Sequence, residues 1–450
     1  MDQDTGGTSP RKRIFEGRLP RALRALEHRN YRLFFCGQMI SLIGTWMQSV
    51  AQSWLVYRLT GSAVMLGAVS FSGQIPVFLG AAFGGAVADT HNRHRILIVT
   101  QTTAMILAFV LAAATLTGAV RVWHVFVLSA LLGLTNAFDI PARQAFVVNM
   151  VGREDIINAV ALNSTIFNGA RIVGPAVAGV LVATIGEGWC FFANGISYIA
   201  VIVGLLLMRV EGQHPAPVTG SAFSSIVEGF RYAGQKRPIR ALLLLLGMNS
   251  LLGMPYVVLM PIFADQILHG GARGLGFLMG ASGVGALGGA LSLARRQGIR
   301  GLGRWIALAT AGFGLSLILF SQSRLFWLSA VLLLPVGFCM IIQMASSNTL
   351  IQAMVPDTVR GRVMAVYSMM FMGMAPFGAL LSGALAHRLG APATVAIGGG
   401  VCMVGAFFFW QRLPSLRVEA RQMIVALQAT AGEPSEATTG AGSVLARPSK

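Results

Sequence analysis

Long apolar segments recur along the whole chain and are separated by short polar connections. Each segment has about 20 residues or more, which is the length that an α-helix needs to cross the hydrocarbon core of a bilayer. The segments lack the alternation of apolar and polar residues that marks the strands of a membrane β-barrel. The pattern therefore predicts an all-α membrane protein with twelve transmembrane helices. The predicted segments are 33–57, 66–88, 96–117, 122–145, 156–184, 188–208, 239–263, 274–294, 302–321, 325–350, 363–386 and 391–411.

The composition agrees with a membrane location and excludes the common soluble classes. Apolar residues make up 55% of the 450 residues, charged residues only 11%, and the mean hydropathy is +0.68. A soluble domain carries roughly 25% charged residues. The four cysteines lie far apart in apolar segments without metal-binding spacing, and no phosphate-binding GxxxxGK[ST] motif occurs. We therefore expect neither an enzyme nor a protein that holds a metal or another cofactor.

The net charge of +18 is typical of a nucleic-acid-binding protein, but its distribution argues against that function. If both termini lie on one side of the membrane, 28 of the 34 Lys and Arg fall on that side and five on the other. Basic residues concentrate on the cytoplasmic side of membrane proteins, where they face anionic lipid. We therefore expect cytoplasmic termini, contact with membrane lipid and no nucleic-acid partner.

The two halves of the chain are related by a shift of 204 residues. Seven of the eleven glycines between positions 80 and 190 coincide with a glycine of the second half under this shift. Six spans separate the copies, so the two six-helix repeats are parallel, as in one class of secondary transporters. The predicted parts are a cytoplasmic basic segment (1–32), a first bundle (33–208), a cytoplasmic linker (209–238), a second bundle (239–411) and a cytoplasmic, largely disordered tail (412–450).

A charged motif follows the second predicted helix. It begins at Gly85, has an acid four residues later at Asp89 and continues into basic residues that include Arg93. The glycine permits two helices to approach closely. The acid can pair with a neighbouring cation or interact with a helix end. The second repeat keeps the glycine as Gly289 but has Leu293 in place of the acid.

The fifth predicted helix contains Gly174 followed by Pro175. Proline removes a backbone donor and weakens the helix, while glycine permits tight packing. Together with the charged motif, this segment resembles the major facilitator superfamily, whose exporters carry a Gly-Pro antiporter motif. Asn136–Gln144 and Gly253–Tyr256 narrow the resemblance to the branch that contains the enterobactin exporter and macrolide-efflux-like proteins. The resemblance covers about residues 25–412.

The resemblance implies a monomeric secondary transporter of the bacterial cytoplasmic membrane. Such a protein exports a small organic molecule, siderophore-like or drug-like, by alternating access and antiport against protons. An importer with the same fold and a non-transporting membrane receptor or scaffold are the alternatives. In the same family context, Gly85, Asp89, Arg93, Gly174 and Pro175 are expected to act in gating.

Polar residues recur at helical spacing on one face of the first and fifth predicted helices. Arg171 lies near the middle of the fifth, where a charge costs at least about 2.5–3.5 kcal/mol, so it must face a cavity or a partner. We expect both faces to line a water-filled cavity between the two halves. Contacts between helices and a structural Arg171 are the alternatives. The cavity candidates are Ser41, Thr45, Gln48, Gln52, Asn168 and Arg171.

Asp139 and Arg143 lie one turn apart near the predicted cytoplasmic end of the fourth helix. A local ion pair between them is one interpretation. The other is a gate in which Asp89 pairs with Arg143 when the cytoplasmic side is closed. Asp139 is the deepest acid and thus the candidate for proton binding. The tenth helix offers Gln343 and Ser347 but no charge.

Overall fold

The computed structural model describes residues 21–152, 154–209, 222–296 and 298–431. Twelve helices in this part of the chain are long and apolar enough to cross a membrane, which confirms the predicted number and fold class. They are α1 Arg29–Thr60, α2 Ala63–Thr90, α3 Arg93–Leu116, α4 Val122–Val151, α5 Ile156–Thr184, α6 Glu187–Leu206, α7 Arg237–Ile267, α8 Gly271–Ala294, α9 Leu302–Gln322, α10 Phe326–Met354, α11 Asp357–Leu389 and α12 Ala391–Ala431.

Two helical segments extend beyond the predicted spans. α12 continues to Ala431, well past the predicted end of the last segment at 411, and part of the predicted linker forms a helix over Ala222–Gln235, the linker helix. Both segments are too polar to be detected by their hydropathy. They nevertheless bury apolar side chains such as Ala233 and Leu416 in a shared cluster. The predicted disorder at the end of the tail and most of the basic N-terminal segment lie outside the described residues.

The linker helix packs on the start of α11. Glu228 forms an ion pair with Arg362, and a Cβ at Gly229 would lie only 2.5 Å from the carbonyl oxygen of Arg362. At the start of α7, Arg237 lies 3.6 Å from Glu419 in the extension of α12. These contacts attach the linker helix and the α12 extension to the same end of the second bundle. We call this end of the molecule the linker side and the opposite end the remote side.

Equivalent helices of the two halves pack in the same way. A Cβ at Gly133 in α4 would overlap the carbonyl oxygen of Gly73 in α2. A Cβ at Gly337 in α10, 204 positions later, would overlap the carbonyl oxygen of Ser282 in α8. Such close approach of two helices requires the absence of a side chain. The packing therefore reflects the duplication seen in the sequence.

The buried apolar clusters show where the two halves meet. On the remote side one continuous cluster contains residues of both halves, including Leu55 of α1 and Leu259 of α7. On the linker side each half has a cluster of its own, represented by Phe146 in the first half and Leu246 in the second. The buried apolar core is therefore continuous across the two halves on the remote side, and on the linker side it is divided by the space between them.

Glycines form the contact between the halves on both flanks of this space. A Cβ at Gly179 in α5 would lie 3.0 Å from the Cα of Gly276 in α8. A Cβ at Gly67 in α2 would lie 3.3 Å from the Cα of Gly383 in α11. We call these two backbone contacts the seam. The seam brings α5 to α8 and α2 to α11, so that these four helices enclose the centre of the molecule.

Candidate functional site

A cavity of about 280 Å³ lies between the two halves. Helices α1, α2 and α5 contribute to its wall from the first half, and α7, α8 and α11 from the second. Its volume is close to the lower end of the range for small-molecule sites, about 300–1,000 Å³. The polar side chains that the structure places in the lining include Ser49, Gln74, Arg171, Ser250, Tyr256 and Ser282.

Arg171 is the only charged residue among the described residues of the cavity lining. Its guanidinium carbon lies 5.8 Å from the centroid of the Trp46 ring, and Nη2 lies 3.7 Å from Sδ of Met340. A guanidinium has five N–H donors, and neither an aromatic face nor a thioether neutralises its charge. None of the ion pairs found in the described part of the chain includes Arg171. Its position therefore suits a bound anion.

The polar face of α1 was predicted to line the cavity, but its two glutamines lie outside the described lining and bond to neighbouring helices. Gln48 Oε1 accepts a hydrogen bond of 2.7 Å from Asn194 Nδ2 in α6. Gln52 Nε2 donates one of 2.9 Å to Ser129 Oγ in α4. Because lipid offers no partners, these amides are satisfied by neighbouring helices of the same bundle.

The other two predicted residues of α1 also lie away from the described cavity lining. Ser41 is buried, and its carbonyl oxygen accepts a hydrogen bond of 2.9 Å from the Thr45 hydroxyl. The part of α1 that reaches the cavity is a neighbouring face with Trp46 and Ser49. Helical periodicity identified a polar face correctly but not the helices that cover it.

α5 places only part of its predicted polar face in the cavity. Arg171 and Pro175 belong to the lining, whereas Asn168 does not. The side-chain amide of Asn168 donates a hydrogen bond of 2.8 Å to the carbonyl oxygen of Ser164, one turn earlier in the same helix. The placement of Asn168 at the wider space between the halves stays a prediction. A role for Arg171 in binding stays a prediction.

The Gly-Pro segment of α5 lies at the junction of α1, α5 and α8. A Cβ at Gly174 would lie 2.5 Å from the Cβ of Trp46. The carbonyl oxygen of Pro175 would be 2.5 Å from a Cβ at Gly276 in α8. Proline weakens the helix at this point. A bend here would move α5 relative to both the cavity and the opposite half, which is the geometry that a gating role requires.

Asp139 and Arg143 form the local ion pair that was one of the two interpretations. Asp139 is buried, and its Oδ1 accepts hydrogen bonds of 2.8 Å from both Thr100 and Gln101 in α3. Arg143 also donates to Gln38 in α1 at 3.3 Å. The pair therefore connects α4 to α3 and α1.

The predicted pair between Asp89 and Arg143 is not formed in this conformation. Asp89 is largely exposed and lies 3.4 Å from Nη2 of Arg93, four residues later. The gate was expected when the cytoplasmic side is closed, whereas the two halves here are separate on the linker side. The gate therefore stays a prediction.

Gly84, rather than Gly85, provides the close helix contact in the charged motif. A Cβ at Gly84 would overlap the carbonyl oxygen of Ala137 in α4, whereas no atom lies within 4 Å of one at Gly85. In this conformation Gly85 has no close helix contact, and its role in gating stays a prediction. The spacing of the motif marked Gly85, but the neighbouring position faces α4.

The second half contributes residues to the cavity that the polar periodicity did not identify. α7 is interrupted by a π-helical segment over Asn249–Gly253, followed by Pro255. Such segments occur frequently at functional sites. Ser250, Met254 and Tyr256 of this region line the cavity. The sequence signal was the glycine and proline within Gly253–Tyr256.

A family model described as "Transmembrane secretion effector" matches residues 21–438. The chain belongs to this family. It is thereby a transporter of the major facilitator superfamily and not an enzyme, as its sequence predicted. The twelve described spans of the chain all lie within the matched residues.

Relatives of this chain include proteins named for siderophores and for drugs. It is 26% identical over 395 residues to the staphyloferrin A transporter of Staphylococcus aureus, covering 86% of this chain and 98% of the relative. It is 28% identical over 364 residues to the multidrug efflux pump Tap of Mycolicibacterium fortuitum, covering 78% and 88%. It is 25% identical over 380 residues to the enterobactin exporter EntS of Escherichia coli, covering 84% and 90%. The predicted branch is confirmed.

The fold is similar to that of solved transporters. The nucleoside transporter NupG superposes with a TM-score of 0.67 at 15% identity, over 86% of this chain and 99% of that one. A POT family transporter in complex with 5-aminolevulinic acid gives a TM-score of 0.70 at 11% identity, over 86% and 96%. At such low identity the similarity shows the major facilitator fold alone.

Proposed function

We propose that this protein exports an anionic organic molecule from the cytoplasm by alternating access. The observation that carries the proposal is Arg171, a cation in the cavity lining near the middle of α5. A charge at this depth is costly unless it faces a cavity or a partner. Guanidinium groups bind carboxylates through two parallel hydrogen bonds. A cargo with a carboxylate or another planar anion would supply the missing counter-charge.

Direction is proposed from the open side of the cavity and from the charges around it. The halves are separate on the linker side, which is the side that carries most of the basic residues. Basic residues favour the cytoplasmic face. A cavity open to the cytoplasm is ready to load an exported cargo. Two of the three relatives above are named for siderophores, which supports a siderophore-like cargo.

Proton antiport is part of the same proposal, with Asp139 as the group that exchanges the proton. Asp139 is buried and pairs with Arg143, which also contacts Gln38 in α1. A movement of α1 against α4 would change the contact between Arg143 and Gln38 and with it the surroundings of the Asp139 carboxylate. Proton exchange at Asp139 would thereby be coupled to a movement of α1, which lines the cavity.

A second cargo class is favoured by the apolar part of the lining. Trp46, Met254, Met260 and Met279 all reach the cavity. Methionine side chains are flexible and adapt to ligands of different shape. A relative is named as a multidrug efflux pump, so a hydrophobic drug such as a macrolide is the alternative cargo. Such a cargo would not depend on Arg171.

Accumulation in everted membrane vesicles tests the proposal. We expect wild-type vesicles to accumulate staphyloferrin A or enterobactin when a proton gradient is applied, and Arg171→Gln to abolish this without loss of inserted protein. Arg121→Gln is the control, because Arg121 is exposed at the start of α4. Unchanged accumulation in Arg171→Gln would contradict the anionic cargo. Accumulation of erythromycin alone would favour the drug pump, and accumulation only in right-side-out vesicles would indicate an importer.

A further inference from the structure

We propose that a small polar chamber beside the central cavity is a second recognition subsite of this transporter. The chamber is formed by Asn249 and Ser250 of α7 and by Gln343 of α10. It would bind a neutral hydrogen-bonding group of the cargo, such as an amide or a hydroxyl. The inference rests on the proposed function, because it assigns a second contact to the cargo whose anionic group binds Arg171.

The three polar residues of the chamber are all deeply buried. Their exposed fractions are 6% for Asn249, 1% for Ser250 and 3% for Gln343. The rest of the chamber wall is apolar and includes Phe313 and Phe371. The chamber measures about 10 Å³, and a space of about 10–15 Å³ holds one water molecule. It can therefore accept a single polar group, either of a water molecule or of a ligand that displaces it.

Two side-chain atoms in the chamber have no hydrogen-bond partner within the described residues. They are Oδ1 of Asn249, an acceptor, and Nε2 of Gln343, a donor. Buried polar atoms without a partner are rare in native proteins and call for an explanation. A hydroxyl or an amide of a ligand has a donor and an acceptor and would satisfy both atoms together. The chemistry of the chamber therefore matches a neutral polar group rather than an ion.

The chamber adjoins the cavity that contains Arg171. Ser250 and Met254 line both spaces. Met340 lines the chamber, and its sulfur lies 3.7 Å from Nη2 of Arg171. Methionine is unbranched and has three rotatable bonds, so a partition made of Met254 and Met340 can yield to a ligand. A cargo held at Arg171 can thus extend a second group to Asn249 and Gln343.

The duplication explains why free polar groups occur here. Gln343 and Ser347 lie 204 positions after Asp139 and Arg143, in the equivalent helix of the second half. In the first half the carboxylate of Asp139 is satisfied by Arg143 and by Thr100. In the second half the Ser347 hydroxyl and Nε2 of Gln343 have no partner within the described residues. The first copy pairs its two residues with each other, whereas the second leaves the groups at both positions available to a ligand.

Binding of iron-free staphyloferrin A, whose carboxylates are joined through amide groups, tests the subsite on the purified full-length protein. Gln343→Met removes the donor and keeps the length of the side chain. We expect it to raise Kd about tenfold, equivalent to about 1.4 kcal/mol, with little change in the thermal unfolding midpoint. Asn249→Leu should act in the same way. The control is Ser346→Ala, because Ser346 is equally buried and unpaired but does not line the chamber.

The outcomes separate the subsite from the proposed function. If Arg171→Gln weakens binding but Gln343→Met and Asn249→Leu behave like Ser346→Ala, the subsite is wrong and the anionic cargo stands. If Gln343→Met alters only the unfolding midpoint, the chamber holds a structural water and the subsite is again wrong. If the wild-type protein does not bind the probe, or Arg171→Gln does not affect binding, the proposed function fails and the subsite with it.

Discussion

A hydrogen bond between the two halves on the remote side gives the sharpest test of alternating access. The Tyr57 hydroxyl in α1 donates to Oδ2 of Asp265 in α7 at 2.8 Å. Tyr57→Phe removes this bond but keeps the ring, which is 8% exposed and belongs to the cluster shared by both halves. A hydrogen bond to a charged group contributes about 1.5–3 kcal/mol. Because Asp265 is only partly buried, its hydrogen bond with Tyr57 should contribute about 1.5 kcal/mol to the closed state. A free-energy difference of this size changes an equilibrium about tenfold.

We expect Tyr57→Phe to increase the population open on the remote side about tenfold relative to the closed one. The assay is the distance distribution between spin labels in a cysteine-free background, at Thr117→Cys in the first half and Arg324→Cys in the second, both exposed on the remote side. Thr60→Val is the control, because the Thr60 hydroxyl bonds only within the first half, to the carbonyl oxygen of Val56 and to the backbone N–H of Ser62. A distribution that is the same in Tyr57→Phe and the wild type would refute the reasoning.

Three further predictions concern gating, orientation and packing. Asp89→Asn should slow cargo turnover more than it weakens binding, because Asp89 lies outside the cavity lining; weaker binding at a normal cycling rate would count against the gate. A membrane-impermeant thiol reagent added to intact cells should label Thr117→Cys but not Gln235→Cys, and the reverse would invert the proposed orientation. Gly133→Ala should lower the thermal unfolding midpoint through a backbone clash of about 1–3 kcal/mol, whereas Gly85→Ala should not. Equal midpoints in the two glycine variants would contradict the packing.

The number of spans and the duplication could be predicted because both are properties of the linear sequence. Every spanning helix must be apolar over about 20 residues, whatever its neighbours are. The extension of α12 beyond residue 411 and the linker helix escaped this criterion, since only some of their side chains are apolar and buried. Glycine spacing indicated the repeat, but the choice between Gly84 and Gly85 depended on the rotation of α2 against α4.

Only part of the site could be predicted from the sequence, because the helix that covers a polar face is not given by the periodicity of that face. Arg171 was conspicuous because a charge inside an apolar helix needs a cavity or a partner. The face that contains Gln48 was recognised as polar, but only the structure shows that Asn194 of α6 covers it. Asn249 and Gln343 lie in different helices far apart in the chain. No local periodicity can bring such a pair together, so their chamber became visible only in three dimensions.

The seam at Gly179 and Gly276 has a consequence for the mechanics of the molecule. Neither residue has a side chain that could interlock with the other half, and their backbones touch directly. At this contact one half can therefore move over the other without displacing a side chain. A contact between two glycine backbones does not favour one orientation of the halves over another. Side-chain contacts on the linker side and the remote side then determine which orientation is favoured. Small changes in sequence there can alter this balance.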